Sequence, residues 1–225
     1  MTIRQLDSGS NPPRFIVVEG PLGVGKTSLA RRLARSFDGD LVLEHSEDNP
    51  FLEQFYRSGR RTALPAQLHF LFQRARQLES LNQGDLFARV RIADFHLFRD
   101  RLFAELNLDA DELDLYNRIC DKLDFDVPVP DLVIYLQASV DALISRIAGR
   151  SIDYERHMDR GYVEKIADAY ARYFYDYDES PLLIVNASTI DPIRNDVDYE
   201  LLYQQVRRVT SGRHFFNPAA AVAFA

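Results

Sequence analysis

Apolar residues along this chain fall into two alternating periods. Short strand-type runs occur at Phe15-Ile16-Val17-Val18-Glu19, Leu41-Val42-Leu43-Glu44, Ala88 to Ala93, Leu132-Val133-Ile134-Tyr135-Leu136 and Pro181-Leu182-Leu183-Ile184-Val185. Between them, apolar positions recur three and four residues apart, the helical period. Ser28 to Phe37 places Leu29, Ala30, Leu33, Ala34 and Phe37 on one face and Arg31, Arg32 and Arg35 on the other. Phe51 to Tyr56 is a short helix, broken at Arg57-Ser58-Gly59-Arg60-Arg61. Pro65 opens a longer one to about Asn82, with Leu68, Leu71, Phe72, Ala75 and Leu78 at helical spacing. Further helices are predicted over Leu97 to Leu106, Asp109 to Lys122, Val140 to Arg150, Tyr162 to Asp178 and Tyr199 to Thr210. Strands alternating with helices predict an α/β fold, a doubly wound parallel sheet of five strands flanked by helices. One domain is expected over 15–210, with residues 1–14 a loose leader and 211–225 a C-terminal tail.

The turn after the first strand carries the clearest chemistry. Gly20-Pro21-Leu22-Gly23-Val24-Gly25-Lys26-Thr27 matches G-x-x-x-x-G-K-[ST], between a strand and a helix as such a loop requires. Gly20, Gly23 and Gly25 let successive backbone N–H groups turn inward, and the helix N-terminus that Ser28 enters adds partial positive charge. Lys26 is placed to reach the terminal phosphates and the Thr27 hydroxyl to ligate Mg²⁺. The implied ligand is a nucleoside triphosphate such as ATP. In a doubly wound sheet, ligands bind beyond the C-terminal strand ends. Glu44 and Asp94 both fall at such ends, so both become candidates for the same site.

Composition narrows the partners. The chain has 225 residues, a formal net charge of −7 and one cysteine, Cys120. That length buries roughly 70% of the unfolded surface in one domain. A lone cysteine gives no disulfide framework, and no apolar stretch approaches the length of a membrane span. Without a long basic block, a nucleic-acid partner is not expected. A cytoplasmic protein acting on a small molecule is the reading that follows.

The phosphate loop alone does not separate kinases from other nucleotide hydrolases and switches. A GTPase would show D-x-x-G after a strand and N-K-x-D, and neither is present. A small-molecule kinase needs a basic lid over the transferred phosphate. Arg146-Ile147-Ala148-Gly149-Arg150, followed by Arg156, His157 and Arg160, fits a lid over about 146–161.

Further residues carry a resemblance. Glu44, then Asn49-Pro50-Phe51-Leu52-Glu53-Gln54-Phe55-Tyr56, Gln67, Phe70-Leu71, Arg74, Phe103-Ala104, Arg146-Ile147-x-x-Arg150 and Glu155 occur in an order similar to the deoxynucleoside kinases. The resemblance implies transfer of the γ-phosphate of ATP, or another NTP, to the 5′-hydroxyl of a deoxynucleoside in nucleotide salvage. By that likeness Glu44 is the general base and Gln67 reads the base edge. Arg74 lies near the base and the catalytic carboxylate, and Phe70 and Phe103 wall the base pocket. Tyr56 and Glu155 hold the 3′-hydroxyl, and Arg146 and Arg150 are lid arginines, although Arg146 is equally placed to orient its helix. A homodimer and feedback inhibition by a deoxynucleoside triphosphate are implied as well.

Two departures from the family pattern stand out. Many members write Asp or Glu, then Arg, then Ser after the third strand, whereas this chain has Asp94-Phe95-His96-Leu97-Phe98-Arg99. Counted back from Phe103-Ala104 without a gap, Asp94 takes the arginine position; a slip of one makes it the acidic, magnesium-side residue. Arg99 or Arg101 then replaces the missing cation. A lid arginine expected two residues after Arg150 is Ile152. Two other classes stay open: a monophosphate kinase of the thymidylate kinase type, which would need arginines for the acceptor's phosphate, and a non-catalytic nucleotide-binding regulator.

Overall fold

Strand β1 (Phe15–Glu19) lies inside a parallel sheet because Ile16, Val17 and Val18 are apolar toward both faces and fully buried. The structure, a computed structural model, describes residues 13–82, 89–123, 126, 128–150 and 152–217. Most of the expected leader and the end of the expected tail lie outside these residues, as do Ala88 and Ser151. The side chains of Leu78, Arg156 and His157 lie outside the described ones as well.

The other strands are β2 (Asp40–Val42), β3 (Arg91–Ala93), β4 (Leu132–Gln137), β5 (Leu182–Asn186) and β6 (Arg213–Phe216). The helices are α1 (Lys26–Ser36), α2 (Leu52–Ser58), α3 (Ala63–Asn82), α4 (Phe98–Asn107), α5 (Ala110–Leu123), α6 (Val140–Ala148), α7 (Arg160–Asp176) and α8 (Asp196–Arg208). A short 3₁₀ helix, Asp153–His157, links α6 to α7. The order across the sheet is β2-β3-β1-β4-β5-β6, every neighbour parallel. β1 pairs with β3 on one side and β4 on the other, so the strand order switches direction beside β1 and leaves a crevice at the C-terminal strand ends. That crevice is where a ligand fits such a sheet.

The expected doubly wound architecture is present with one strand more than the five expected. β6 arises from the segment read as a tail. It is an edge strand of alternating exposure, its Phe215 turned to solvent, and so lacks the continuous apolar run that marks a buried parallel strand. β2 and β3 are shorter than their apolar runs. Leu43 and Glu44 leave the ladder because the site takes their backbone: Gln77 Nε2 donates to Leu43 O at 2.7 Å, and Glu44 N donates to Asp94 Oδ1 at 2.8 Å. Helices α7 and α8 start earlier than their apolar periodicity, at caps. Asp159 accepts from Tyr162 N at 2.8 Å, and Asn195 accepts from Val197 N at 2.9 Å.

One core lies between β1, β4, β5 and helices α1, α6 and α8, with Leu29, Leu33, Leu143, Leu202 and Val206 buried. On the opposite face an aromatic layer of Tyr135, Tyr170 and Phe174 packs α7 on the sheet; Tyr135 and Phe174 have ring centroids 4.3 Å apart. A third cluster, with Ala63, Leu71, Ala104, Leu108 and Tyr116, joins α3, α4 and α5. The three clusters make the C-terminal strand ends a rigid rim around one crevice.

Candidate active site

A cleft of about 410 Å³ opens above β1, β2 and β3. Its floor is the glycine loop. Gly20, Gly23 and Gly25 have φ of +147°, +80° and +105°, which side-chain-bearing residues rarely adopt. At Gly20 a Cβ would also sit 2.4 Å from Leu136 O, so the loop's entry tolerates only glycine. Lys26 Nζ donates to Gly20 O at 2.8 Å and Pro21 O at 3.0 Å, folded into the curl it serves. Burial and the neighbouring Arg99 charge lower its pKa to about 7, against the opposing pull of Glu19, Glu44 and Asp94.

Glu44 follows β2 and is nearly enclosed. Its Oε1 accepts from Arg74 Nη2 at 2.7 Å, and its Oε2 pairs with Arg99 Nη1 at 2.9 Å. Burial pushes its pKa up, but the two guanidiniums outweigh burial and hold it down at about 2. Arg74, 2% exposed, comes from α3 and is fixed by a two-pronged bond to Asp100, Nε to Oδ2 and Nη2 to Oδ1, both 2.8 Å. Its guanidinium also lies over the Phe95 ring, 4.3 Å from the centroid.

Asp94, directly after β3, settles beside the phosphate loop. Its Oδ2 accepts from the Thr27 hydroxyl and its Oδ1 from Glu44 N. These contacts set it among the groups of the phosphate loop. Arg99 of α4 is the arginine of the pair 99 and 101 that reaches Glu44. Arg101 instead pairs with Glu105 on the surface.

At the other end of the cleft, Tyr56 of α2 faces the 3₁₀ helix and stacks on Tyr154, centroids 5.6 Å apart. Glu155 is buried; Arg150 approaches its Oε1 at 3.5 Å, while its Oε2 has no partner among the described residues. Burial raises the pKa of both Tyr56 and Glu155. Gln67, Phe70 and Phe103 line the same cleft.

The lid residues divide. Arg150 is 42% exposed at the cleft edge. Arg146 lines the cleft too, and it donates to Ala187 O at 2.7 Å and Val24 O at 3.4 Å, which ties it to the phosphate loop and to the residue after β5. Arg160 is not at the cleft; it pairs with Asp141 and Glu164 outside. Ser28 lines the cleft in the first turn of α1. Gly20 sits behind the lining rather than in it.

Three residues here escaped the sequence reading. Asp100 anchors Arg74. Glu19, wholly buried, accepts from Gly20 N at 3.0 Å, His96 N at 2.6 Å and the Tyr170 hydroxyl at 3.1 Å, tying the glycine loop to the turn after β3. Asn107 accepts from the Tyr162 hydroxyl at 2.9 Å, and its buried Nδ2 is unpaired among the described residues. Each reads in sequence as an ordinary strand-end or helix polar residue.

Comparison with known proteins agrees with the geometry. Residues 16–211 match the family model for deoxynucleoside kinase. The chain is 31% identical to deoxyguanosine kinase of Bacillus subtilis over 204 residues, covering 88% of this chain and 99% of that one. It is 26% identical to deoxyadenosine kinase of Lactobacillus acidophilus over 196 residues, covering 81% and 89%. Among solved structures, deoxyadenosine kinase from M. mycoides with dCMP and dCDP bound superposes with a TM-score of 0.75 at 25% identity, covering 85% of this chain and 98% of that one.

Proposed function

The chain belongs to the deoxynucleoside kinase family, and from that premise we propose how its cleft transfers the γ-phosphate of ATP to the 5′-hydroxyl of a deoxynucleoside. The observation that carries the reading is the meeting, in one cleft, of a buried carboxylate with a phosphate loop. Glu44 opens toward the cleft that Lys26 and the glycine loop floor, and Tyr56 and Glu155 close its far end. The family match sets aside the monophosphate kinase and the non-catalytic regulator.

In this reading the triphosphate lies along the loop N–H groups, and its phosphates replace Gly20 O and Pro21 O as partners of Lys26. Gln67, Arg74, Phe70 and Phe103 hold the nucleobase, and Tyr56 and Glu155 hold the 3′-hydroxyl. The unpartnered Glu155 Oε2 supports this, because a buried acceptor without a donor invites one from the ligand. Glu44 takes the proton of the 5′-hydroxyl as its oxygen attacks, a role carboxylates fill when a neutral alcohol is the acceptor. Arg150 swings from Glu155 over the transferring phosphoryl group, while Arg146 keeps the loop in place. The Thr27 hydroxyl and Asp94 carboxylate, already in contact, form the hard-oxygen pair that suits Mg²⁺. Bound there, the ion would neutralise phosphate charge.

The relatives are named for deoxyguanosine and deoxyadenosine, and Gln67 with Arg74 and Asp100 offers donors and acceptors for a purine edge. A homodimer is part of the proposal. Phe72 of α3 and Leu115 of α5 are apolar and exposed at 48% and 44%, as helix faces awaiting a second copy would be. No described helix is long and apolar enough to cross a membrane, and action in the cytoplasm, where ATP is made, belongs to the same reading.

The test is purified protein with labelled ATP, the four deoxynucleosides and their monophosphates. Label should appear on a deoxynucleoside 5′-position, purines foremost. Label found only on the monophosphates, or on no acceptor, would refute the reading.

A further inference from the structure

Two buried amides line the cleft, Gln67 from α3 and Asn107 from α4. Asn107 stands four residues beyond Phe103, and residues four apart share a helix face, so it follows the base wall down the same side of the cleft. The two helices pass in opposite chain directions. Arg74 meets Asp100, and further along Leu71 and Ala63 of α3 share a cluster with Ala104 and Leu108 of α4. That register carries Gln67 and Asn107 to one depth.

The Asn107 amide is oriented from behind. Its Oδ1 accepts from the Tyr162 hydroxyl at 2.9 Å, and its Nδ2 is then the end without a partner among the described residues, in a side chain 6% exposed. Tyr162, in the first turn of α7, packs on α2. Its ring meets that of Phe55 with centroids 6.4 Å apart, and after burial it is the neighbour that most raises the pKa of Tyr56. Asn107 therefore stands between Phe103, at the base, and the tyrosines at the sugar. Beside the bond that joins base to sugar, every nucleobase carries an acceptor, N3 in purines and O2 in pyrimidines.

We propose that Asn107 is a substrate-binding residue whose Nδ2 donates to this inner-edge acceptor, N3 of a purine deoxynucleoside. The inference rests on the kinase reading above. Gln67, with Arg74 and Asp100, meets the outer edge, where bases differ. Asn107 meets the inner edge, where all four carry an acceptor. Its contact sets how the base is turned about the glycosidic bond, and with it where the 5′-hydroxyl points relative to Glu44. A buried donor left without an acceptor is costly, so a nucleoside lacking that atom is penalised twice, by the lost bond and by the stranded amide.

The test uses the better of 2′-deoxyadenosine and 2′-deoxyguanosine, its 3-deaza analogue, which has C–H in place of N3, and its 7-deaza analogue. Wild type should lose about 10–100-fold in kcat/KM on the 3-deaza compound. Asn107→Leu should lose as much on the parent nucleoside, and its 3-deaza penalty should shrink to within about threefold. Its 7-deaza penalty should stay at the wild-type value. Tyr162→Phe releases Oδ1 but keeps Nδ2, and should retain a 3-deaza penalty. Leucine at 107 strands the Tyr162 hydroxyl; should that variant fail to melt as a folded protein, Asn107→Leu with Tyr162→Phe removes both polar groups and carries the same test. A full 3-deaza penalty in the leucine variants would overturn the contact. Equal shrinkage of the 3-deaza and 7-deaza penalties would overturn it too, and make Asn107 a general brace of the pocket. A wild type that phosphorylates no purine deoxynucleoside would fail the reading of the site above, and this inference with it. An active wild type with no 3-deaza penalty fails this inference only.

Discussion

Truncating Asp100 isolates what the buried ion pair of the site contributes. Arg74 is 2% exposed and Asp100 4%, and they share two bonds of 2.8 Å. Among the described residues, the guanidinium in Asp100→Ala keeps Glu44 Oε1 and the Phe95 face alone, and its Nη1 is already unpartnered. Breaking a buried pair by removing one partner costs about 3–5 kcal/mol. For a chain of this size that lowers Tm by roughly 6–20 °C. Replacing both partners, as Arg74→Met with Asp100→Leu, removes the stranded charge and should recover stability to within about 2 kcal/mol of wild type. It should not recover turnover, since Glu44 then lacks its anchor. Urea unfolding followed by far-UV circular dichroism gives the stabilities, and kcat/KM from coupled ADP release gives the activity. An Asp100→Ala loss below about 1 kcal/mol at unchanged m-value would refute the reasoning, because an uncompensated buried guanidinium cannot be that cheap. A double variant with wild-type turnover would show that Arg74 only fills space.

Glu44→Gln keeps size but not proton affinity, so kcat should fall by about 10²–10⁴, roughly 3–5 kcal/mol of barrier, with deoxynucleoside KM nearly unchanged; a raised KM at normal kcat would make Glu44 a binding residue instead. Removing the 3′-hydroxyl leaves Tyr56 and Glu155 unpartnered, so 2′,3′-dideoxynucleosides should lose more kcat/KM than ribonucleosides do, and Tyr56→Phe should shrink that penalty; an unchanged penalty in the variant would place Tyr56 outside sugar recognition. Gly20→Ala puts a Cβ 2.4 Å from Leu136 O at φ +147°, and should cost about 1–3 kcal/mol in backbone strain alone together with triphosphate affinity, measured by melting and by nucleotide titration; a wild-type melt would contradict the loop geometry.

Local features of the fold were legible because their cause is local. The glycine loop, the apolar run before it and the one-sided helix after it specify strand, turn and helix without help from distant residues. The end of β2 was not, because Asp94 pulls Glu44 out of the ladder from fifty residues away in sequence. β6 was hidden for another reason, since an edge strand with half its side chains in solvent carries little apolar signal. In the site, the choice between Arg99 and Arg101 looked open because three charges stand in a row at 99–101. Helical phase separates them. Counting back three and four from the inward Phe103 gives Asp100 and Arg99, while Arg101 falls two away, on another face. The same count would have found Asp100. Glu19 carried no such signal, since a carboxylate at a strand end is usually solvated, and only the closed sheet shows that three donors converge on it.

The contacts form one connected path, and this bears on how the site works. From Asp100 it runs through Arg74 to Glu44, from Glu44 through its backbone N–H to Asp94, and from Asp94 to Thr27 at the head of α1. Glu19 adds a second tie from the glycine loop to the backbone of His96, two residues past Asp94. The proposed acceptor end, on α3 and α4, and the donor end, on the glycine loop, therefore share the charged groups that align them. Substitutions along this path should combine non-additively, while those at Tyr56, on α2 and outside it, should add to them. A site built this way discriminates by closure as well as by contact. A nucleoside seated against α3 and α4 and a triphosphate on the glycine loop should each be felt at Glu44, because Arg74 and Asp94 position it together.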